Sequence, residues 1–124
     1  MKRLLFSFQG RLNRAPYWYV HLVIFLVEVA FLAALMIPAV LANDAGMLAN
    51  SAVAANIVGA LLFLPLFWIS LAVTVKRCHD RDKSGWFIFI VLVPVIGAIW
   101  FLIEIGLLPG TRAPNRFGPD PLED

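Results

Sequence analysis

Residues 52–75 read AVAANIVGALLFLPLFWISLAVTV, a stretch without a single charged side chain and with Asn56 and Ser70 among its polar members. At about 1.5 Å of rise per residue such a helix covers about 36 Å, more than the roughly 30 Å of a bilayer's hydrocarbon. The run therefore predicts a helix that crosses a membrane. It stops at Lys76, where Lys76-Arg77-Cys78-His79-Asp80-Arg81-Asp82-Lys83-Ser84-Gly85 reads as a charged, solvated connection closed by a turn-favouring Ser-Gly pair.

A second apolar run lies upstream, from Trp18 to Leu41, interrupted only by His21 and Glu28 and opened by Tyr17, Trp18 and Tyr19. Amphipathic rings favour the headgroup boundary, so this cluster marks where the helix enters the membrane. The connection Ala42-Asn43-Asp44-Ala45-Gly46 is short and carries no Lys or Arg. Downstream, Trp86 to Leu108 is a third run, with one charge, Glu104, and a Pro94-Val95-Ile96-Gly97 element that predicts a kink. The tail, residues 109–124, is broken by Pro109, Pro114, Pro119 and Pro121 and predicts an extended surface segment.

Composition agrees. The 124 residues are 61% hydrophobic and 15% charged, against about 45–50% and about 25% in a soluble domain. Too little polar surface exists to wrap a water-soluble core. The formal net charge is +2, but the basic residues sit beside apolar runs, which fits anionic lipid headgroups better than nucleic acid. Cys78 is the single cysteine, so no disulfide forms within the chain. Met1-Lys2-Arg3 with Val40 and Ala42 imitates a cleavable signal peptide, but the apolar region is too long and starts too late for one.

Four basic residues precede the first run (Lys2, Arg3, Arg11, Arg14), none lies between runs one and two, four lie in 76–85, and Arg112 and Arg116 lie in the tail. The positive-inside bias places the N-terminus in the cytoplasm, the first loop outside and the second inside. Three full crossings then put the tail outside, against the bias. A re-entrant third segment would keep all ten basic residues inside, but only by placing irregular backbone in lipid. Three crossings are the expectation carried forward.

Three separated motifs carry a resemblance: Gly10-Arg11-Leu12-Asn13-Arg14-Ala15-Pro16-Tyr17-Trp18; Lys76-Arg77-Cys78-His79-Asp80 with Ser84-Gly85-Trp86; and Pro109-Gly110-Thr111 through Pro114-Asn115-Arg116-Phe117-Gly118-Pro119-Asp120-Pro121. The chain resembles the YhaH-like bacterial inner-membrane family of unknown function, DUF805, over nearly its whole length. Cys78 and Phe87 depart from the family pattern, where a larger aliphatic residue and a second Trp are usual. The resemblance implies a bacterial inner (plasma) membrane protein, and it carries over no catalytic residue.

The expected fold is an all-α membrane protein, a single domain over 1–124. It comprises a short interfacial helix over 3–16, three transmembrane helices at about 18–41, 52–75 and 86–108 in a compact bundle, and the tail 109–124. Small residues such as Ala33, Ala34, Ala54, Ala55 and Gly59 allow close helix approach. Arg11, Arg14, Arg77, His79, Asp80, Trp86 and Arg116 are the candidates for binding lipid headgroups or a membrane partner. Arg11 and Arg14 would share a helical face and meet Asp80 or Asp82 of the second loop. Glu28 and Asn56 are the candidate intramembrane polar residues, because a carboxylate at mid-membrane depth is costly. No metal site, cofactor or catalytic residue is read from the sequence, and no nucleic-acid contact. The expected activity is that of a non-enzymatic accessory or interaction protein whose partners are membrane lipids, a second copy or another membrane protein. The alternatives are a subunit of an oligomeric transporter or channel, with Glu28 and Asn56 on its path, and an enzyme acting on lipid headgroups through His79 and Asp80.

Overall fold

The computed structural model describes residues 5–123. Lys2 and Arg3, and the first two residues of the expected interfacial segment, lie outside the described residues. The described chain is all helix and irregular structure, apart from one isolated bridge between Asn115 and Gly118. Helix α1 spans Arg14–Ala42 and helix α2 spans Ala45–Asp80. Both are long and apolar enough to cross a membrane. The chain then forms a 3-10 helix, Gly85–Leu92, a short α3, Ile96–Phe101, and a π-helix, Leu102–Leu107. It divides into two compact units: one holds the residues up to His21 and those from Ile69 onward, the other is Leu22–Trp68.

The start of α1 follows from its motif. The Asn13 carbonyl accepts from the Tyr17 amide at 3.4 Å and the Asn13 side chain accepts from the Ala15 amide at 3.2 Å, as an N-cap does. Pro16 falls in the first turn, where its missing N–H costs nothing. The expected helix over 3–16 does not run through to residue 16: residues 5–6 are helical, but residues 7–13 are not, and Gly10 at φ +88° turns the chain. Arg11 therefore precedes the helix and shares no helical face with Arg14.

The connection between α1 and α2 is shorter than expected, only Asn43 and Asp44. Asn43 takes φ +50°, the left-handed position that ends a helix, and the Asp44 carboxylate accepts from the Met47 amide at 2.9 Å. One residue closes α1 and the next caps α2. At the other end α2 runs five residues beyond the uncharged stretch and closes in a Schellman arrangement, with Lys83 N donating to Cys78 O at 2.9 Å and Asp82 N to His79 O at 3.0 Å. Asp82 occupies the left-handed position at φ +54°. The charged segment is thus half helix, and that half is not solvated: Lys76, Arg77, Cys78 and Asp80 are buried, while Asp82 and Ser84 beyond it are exposed.

The third apolar run is not one helix over 86–108. Pro94 removes a donor, and around it the chain reverses through a tight turn in which Ile96 N donates to Pro94 O at 2.7 Å with Val95 at φ 62°, ψ −64°. This is the rare, strained γ-turn. Val93 N donates to Ile90 O, Gly97 N to Val93 O and Ile99 N to Val95 O, all within 3.1 Å, so the carbonyls of Ile90, Val93, Pro94 and Val95 are satisfied. The two limbs pack antiparallel: Phe87 and Phe101 stack with ring centroids 6.3 Å apart. Gly97 presses on the backbone of Ile90, whose carbonyl carbon would lie 2.9 Å from an added Cβ.

Relieving a β-branched residue from positive φ recovers strain of order 1–3 kcal/mol, so Val95→Gly should raise the thermal midpoint of the detergent-solubilised protein. Gly97→Ala should lower it, by about 1–3 kcal/mol of overpacking. Opposite shifts from two residues of one turn are the signature to measure; equal effects would argue against this reversal.

Candidate polar centre at the end of helix α2

Within the first unit the three sequence motifs converge on Arg77 and Asp80, 0% and 1% exposed. Three residues apart on the last turn of α2, they form an ion pair through Arg77 Nη1. Burial of both charges is expensive and is tolerated only when the remaining donors and acceptors are filled. They are. Arg77 Nε donates to the Ile105 carbonyl at 2.8 Å and Nη2 to the Leu108 carbonyl. The other face of the Asp80 carboxylate takes Arg11, whose Nε lies at 3.2 Å and Nη2 at 3.1 Å.

Arg11 then reaches past Asp80 into the tail, donating to the carbonyls of Ala113 at 2.8 Å and of Thr111. Thr111 returns to α2: its amide and hydroxyl both donate to the Asp80 carbonyl, at 2.8 and 3.1 Å. Asn115 donates to the His79 carbonyl and the Thr111 hydroxyl, both at 2.9 Å. The His79 ring stacks on Phe117 with centroids 3.9 Å apart and planes 3° apart, while its Nδ1 donates to the Gly10 carbonyl at 3.1 Å. Gly110 passes so close to the Asp80 carboxylate that an added Cβ would sit 2.6 Å from its Cγ.

The end of the π-helix supplies the remaining acceptors. Ending a helix leaves several carbonyls without helical partners, and here five consecutive ones are taken by side chains. Ile105 and Leu108 go to Arg77, Gly106 to Trp18 Nε1 at 2.9 Å, Leu107 to Arg14 at 3.2 Å, and Pro109 to Arg81 at 2.5 Å. Arg81 also pairs with Glu104 at 2.7 Å, and Lys83 lies 3.5 Å from the same carboxylate.

Of the expected binding residues, Arg11, Arg77 and Asp80 meet in one network and His79 adjoins it. Arg14 does not reach an Asp, because α1 begins at Arg14 and its side chain is drawn to Leu107. Arg116 lies at the rim, 3.2 Å from Asp82 and over the Phe117 ring. Trp86 stands apart, 76% exposed and stacked on Phe89. Arg112 is exposed and is a basic side chain without an ion-pair partner among the described residues. His79 and Asp80, though adjacent, face different partners and form no acid–base pair.

Glu28 and Asn56 belong to the second unit. Asn56 turns its amide back to Ala52 O at 2.8 Å, and Glu28 is exposed beside a groove of about 220 Å³ between α1 and α2. His21 donates through Nδ1 to Tyr17 O at 2.8 Å, leaving Nε2 to accept from Ser70 at 3.0 Å. Sequence reasoning missed Trp18, Gly110, Thr111 and Asn115 as members of the polar network. Their recurrence in the motifs was the available signal, but neither spacing nor composition says that residues 100 positions apart touch.

Removing the carboxylate leaves two buried guanidinium groups facing each other, so Asp80→Asn should cost about 3–5 kcal/mol. Arg11→Gln combined with Asp80→Asn should then cost clearly less than the sum of the single changes, whereas Arg14→Gln should be additive with Asp80→Asn. Thermal or denaturant unfolding in detergent reads both cycles. Gly110→Ala, which collides with Asp80, should destabilise although it adds a single methyl group.

The DUF805 family, described as protein of unknown function, matches residues 5–119. Inner membrane protein YhaH of Escherichia coli (strain K12) is 39% identical over 117 residues, covering 93% of this chain and 87% of that protein. The uncharacterized protein YiiR of the same strain is 26% identical over 145 residues, covering 97% and 89%. Inner membrane protein YhaI is 38% identical over 61 residues, covering 49% and 51%. No solved structure matches. With three motifs meeting in one network and the family matching across that whole network, the chain belongs to the DUF805 family.

Proposed function

We propose that this is an inner-membrane protein with its N-terminus in the cytoplasm. In this reading it crosses the bilayer twice, through α1 and α2, and dips a third segment, residues 85–107, into the same leaflet from which it emerges. The observation that carries this reading is the tether at α2. Gly85 begins the segment five residues after Asp80, and Leu108 and Thr111, just past its end, are bonded to Arg77 and Asp80. Entry and exit are held on one face. Each limb is also too short to span: eight residues of 3-10 helix rise about 16 Å and the twelve of α3 with the π-helix about 18 Å, against roughly 30 Å of hydrocarbon. The cost of irregular backbone in lipid, which favoured three crossings, is met by the hydrogen bonds of the reversal and the side chains on the exit carbonyls. All eight described basic residues then lie on one side and none near Asn43–Asp44, as the positive-inside bias asks.

On that face the protein acts as a non-enzymatic interaction platform. Its motif charges are spent on one another and hold the surface rigid. Arg112, which has no ion-pair partner among the described residues, the exposed Trp86, and Arg116, exposed at the rim where it pairs with Asp82, face anionic headgroups, each cation contributing about 1 kcal/mol near a negative surface. The enzyme alternative loses support because His79 and Asp80 are engaged separately.

Reporters inserted between Asn43 and Asp44 and fused after Asp124 should read opposite sides, with the C-terminal fusion cytoplasmic. A periplasmic C-terminus would restore three crossings. For the headgroup contact, the purified protein should retain anionic phospholipid above its share of the membrane, and Arg112→Glu with Arg116→Glu should abolish the excess. No excess in the unaltered protein would sink that part of the reading.

A further inference from the structure

Glu28 is the central residue of α1, fourteen residues from Arg14 and fourteen from Ala42, so it sits about 21 Å from either end. It is exposed on the helix surface and has no hydrogen-bond or ion-pair partner among the described residues. Its polar neighbours on the same hairpin behave differently: Asn56 bonds back to Ala52 O and Ser51 to Met47 O, both at 2.8 Å. A carboxyl group facing hydrocarbon without a partner is costly, and the cost falls only when another polar group meets it. No basic side chain lies anywhere in Leu22–Trp68 to serve. The remaining source is another molecule.

The surface beside Glu28 is shaped for one. Val27, Phe31 and Leu32 of α1 face Ala55, Gly59 and Leu62 of α2 across the 220 Å³ groove. Gly59 leaves room there: the nearest atom to an added Cβ is Phe31 Cε1 at 4.0 Å. Small residues beside a polar one are the means by which helices associate in lipid, where apolar burial alone gives no drive. A carboxyl is both donor and acceptor while it holds its proton, which makes it complementary to itself. A two-fold axis along the membrane normal brings identical residues to the same depth, so the only carboxyl of this unit's membrane-spanning stretch finds its like without any other adjustment.

We propose that this groove is a self-association site: a second copy packs its α1 against it in a parallel, two-fold dimer that brings the two Glu28 side chains together across the axis. The proposal rests on α1 and α2 crossing the membrane, which the reporters above test independently. A dimer of two such hairpins closes polar groups together and encloses no pore.

In a Cys78→Ala background reconstituted into vesicles, Leu32→Cys on the groove side should form an intermolecular disulfide on mild oxidation at least fivefold more than Leu26→Cys on the opposite side of α1. Adding Glu28→Ala to the Leu32→Cys protein should reduce cross-linking at least fivefold, while Glu28→Gln, whose amide also pairs with itself, should retain most of it. Mass spectrometry should find twice the chain mass. Equal cross-linking at the two positions, indifference to Glu28→Ala, a monomer whose groove carries only lipid, or an adduct with a different protein would each overturn the proposal. A cytoplasmic reading from the reporter between Asn43 and Asp44 would instead overturn the crossing on which it rests.

Discussion

A guanidinium with no exposed surface is the constraint around which the first unit is built. Arg77 cannot give up its charge and cannot reach water, so the fold has to bring it a carboxylate and carbonyl oxygens. Asp80 supplies the first from the same helical turn. The carbonyls come from Ile105 and Leu108, which the chain can deliver only by returning from the far end of its third apolar run to the end of α2. Once it does so, that run has to double back on itself. The γ-turn at Val95 and the backbone contact at Gly97 follow from this requirement. Arginine suits the task where lysine would not, because one planar fork donates in three directions at once to Asp80, Ile105 and Leu108.

The same logic explains why the network extends as far as it does. Asp80 paired with Arg77 alone would leave one carboxylate oxygen underused; Arg11 fills it and carries the tail with it. The tail has no regular structure to satisfy its own backbone, and the donors of Arg11, Thr111 and Asn115 stand in for a strand partner. The proline-rich segment is therefore fixed in place.

Much of this was legible in the sequence, and the limits are physical. The two long apolar helices were visible because length and absence of charge are local properties, and because a helix satisfies its own backbone wherever apolar surroundings offer no partner. Their ends were misjudged in both directions. Hydropathy stops at Val75, but the helix continues while its polar side chains find partners; and Ala45–Ser51 is helical because Asp44 caps it, although its residues are mildly polar. The third run failed for a different reason. Apolar length and one proline are equally consistent with a kinked span and with a hairpin, and the deciding contacts, Arg77 with Leu108 and Asp80 with Thr111, are separated by 31 positions. The expected meeting of the basic N-terminal residues with an acidic loop residue occurs for Arg11 and not for Arg14, because residues 7–13 are turned at Gly10 and are not helical.

The two units differ in how completely their polar groups are used, and that difference locates the interaction chemistry. Among the described residues no buried side-chain nitrogen or oxygen lacks a partner, and the density of such partners is greatest where the motifs meet. A network so fully paired is a poor catalyst and a good rivet: any group recruited to bind a ligand would have to abandon a buried charge or a helix-end carbonyl. The hairpin Leu22–Trp68 presents the reverse case, with almost no polar groups and one of them, Glu28, unspent. Motif residues held in mutual bonds build the platform, while the residue that departs from its apolar surroundings carries the unmet demand. In the proposed dimer, association with a second copy therefore falls to the surface that composition alone would have passed over as lipid-facing.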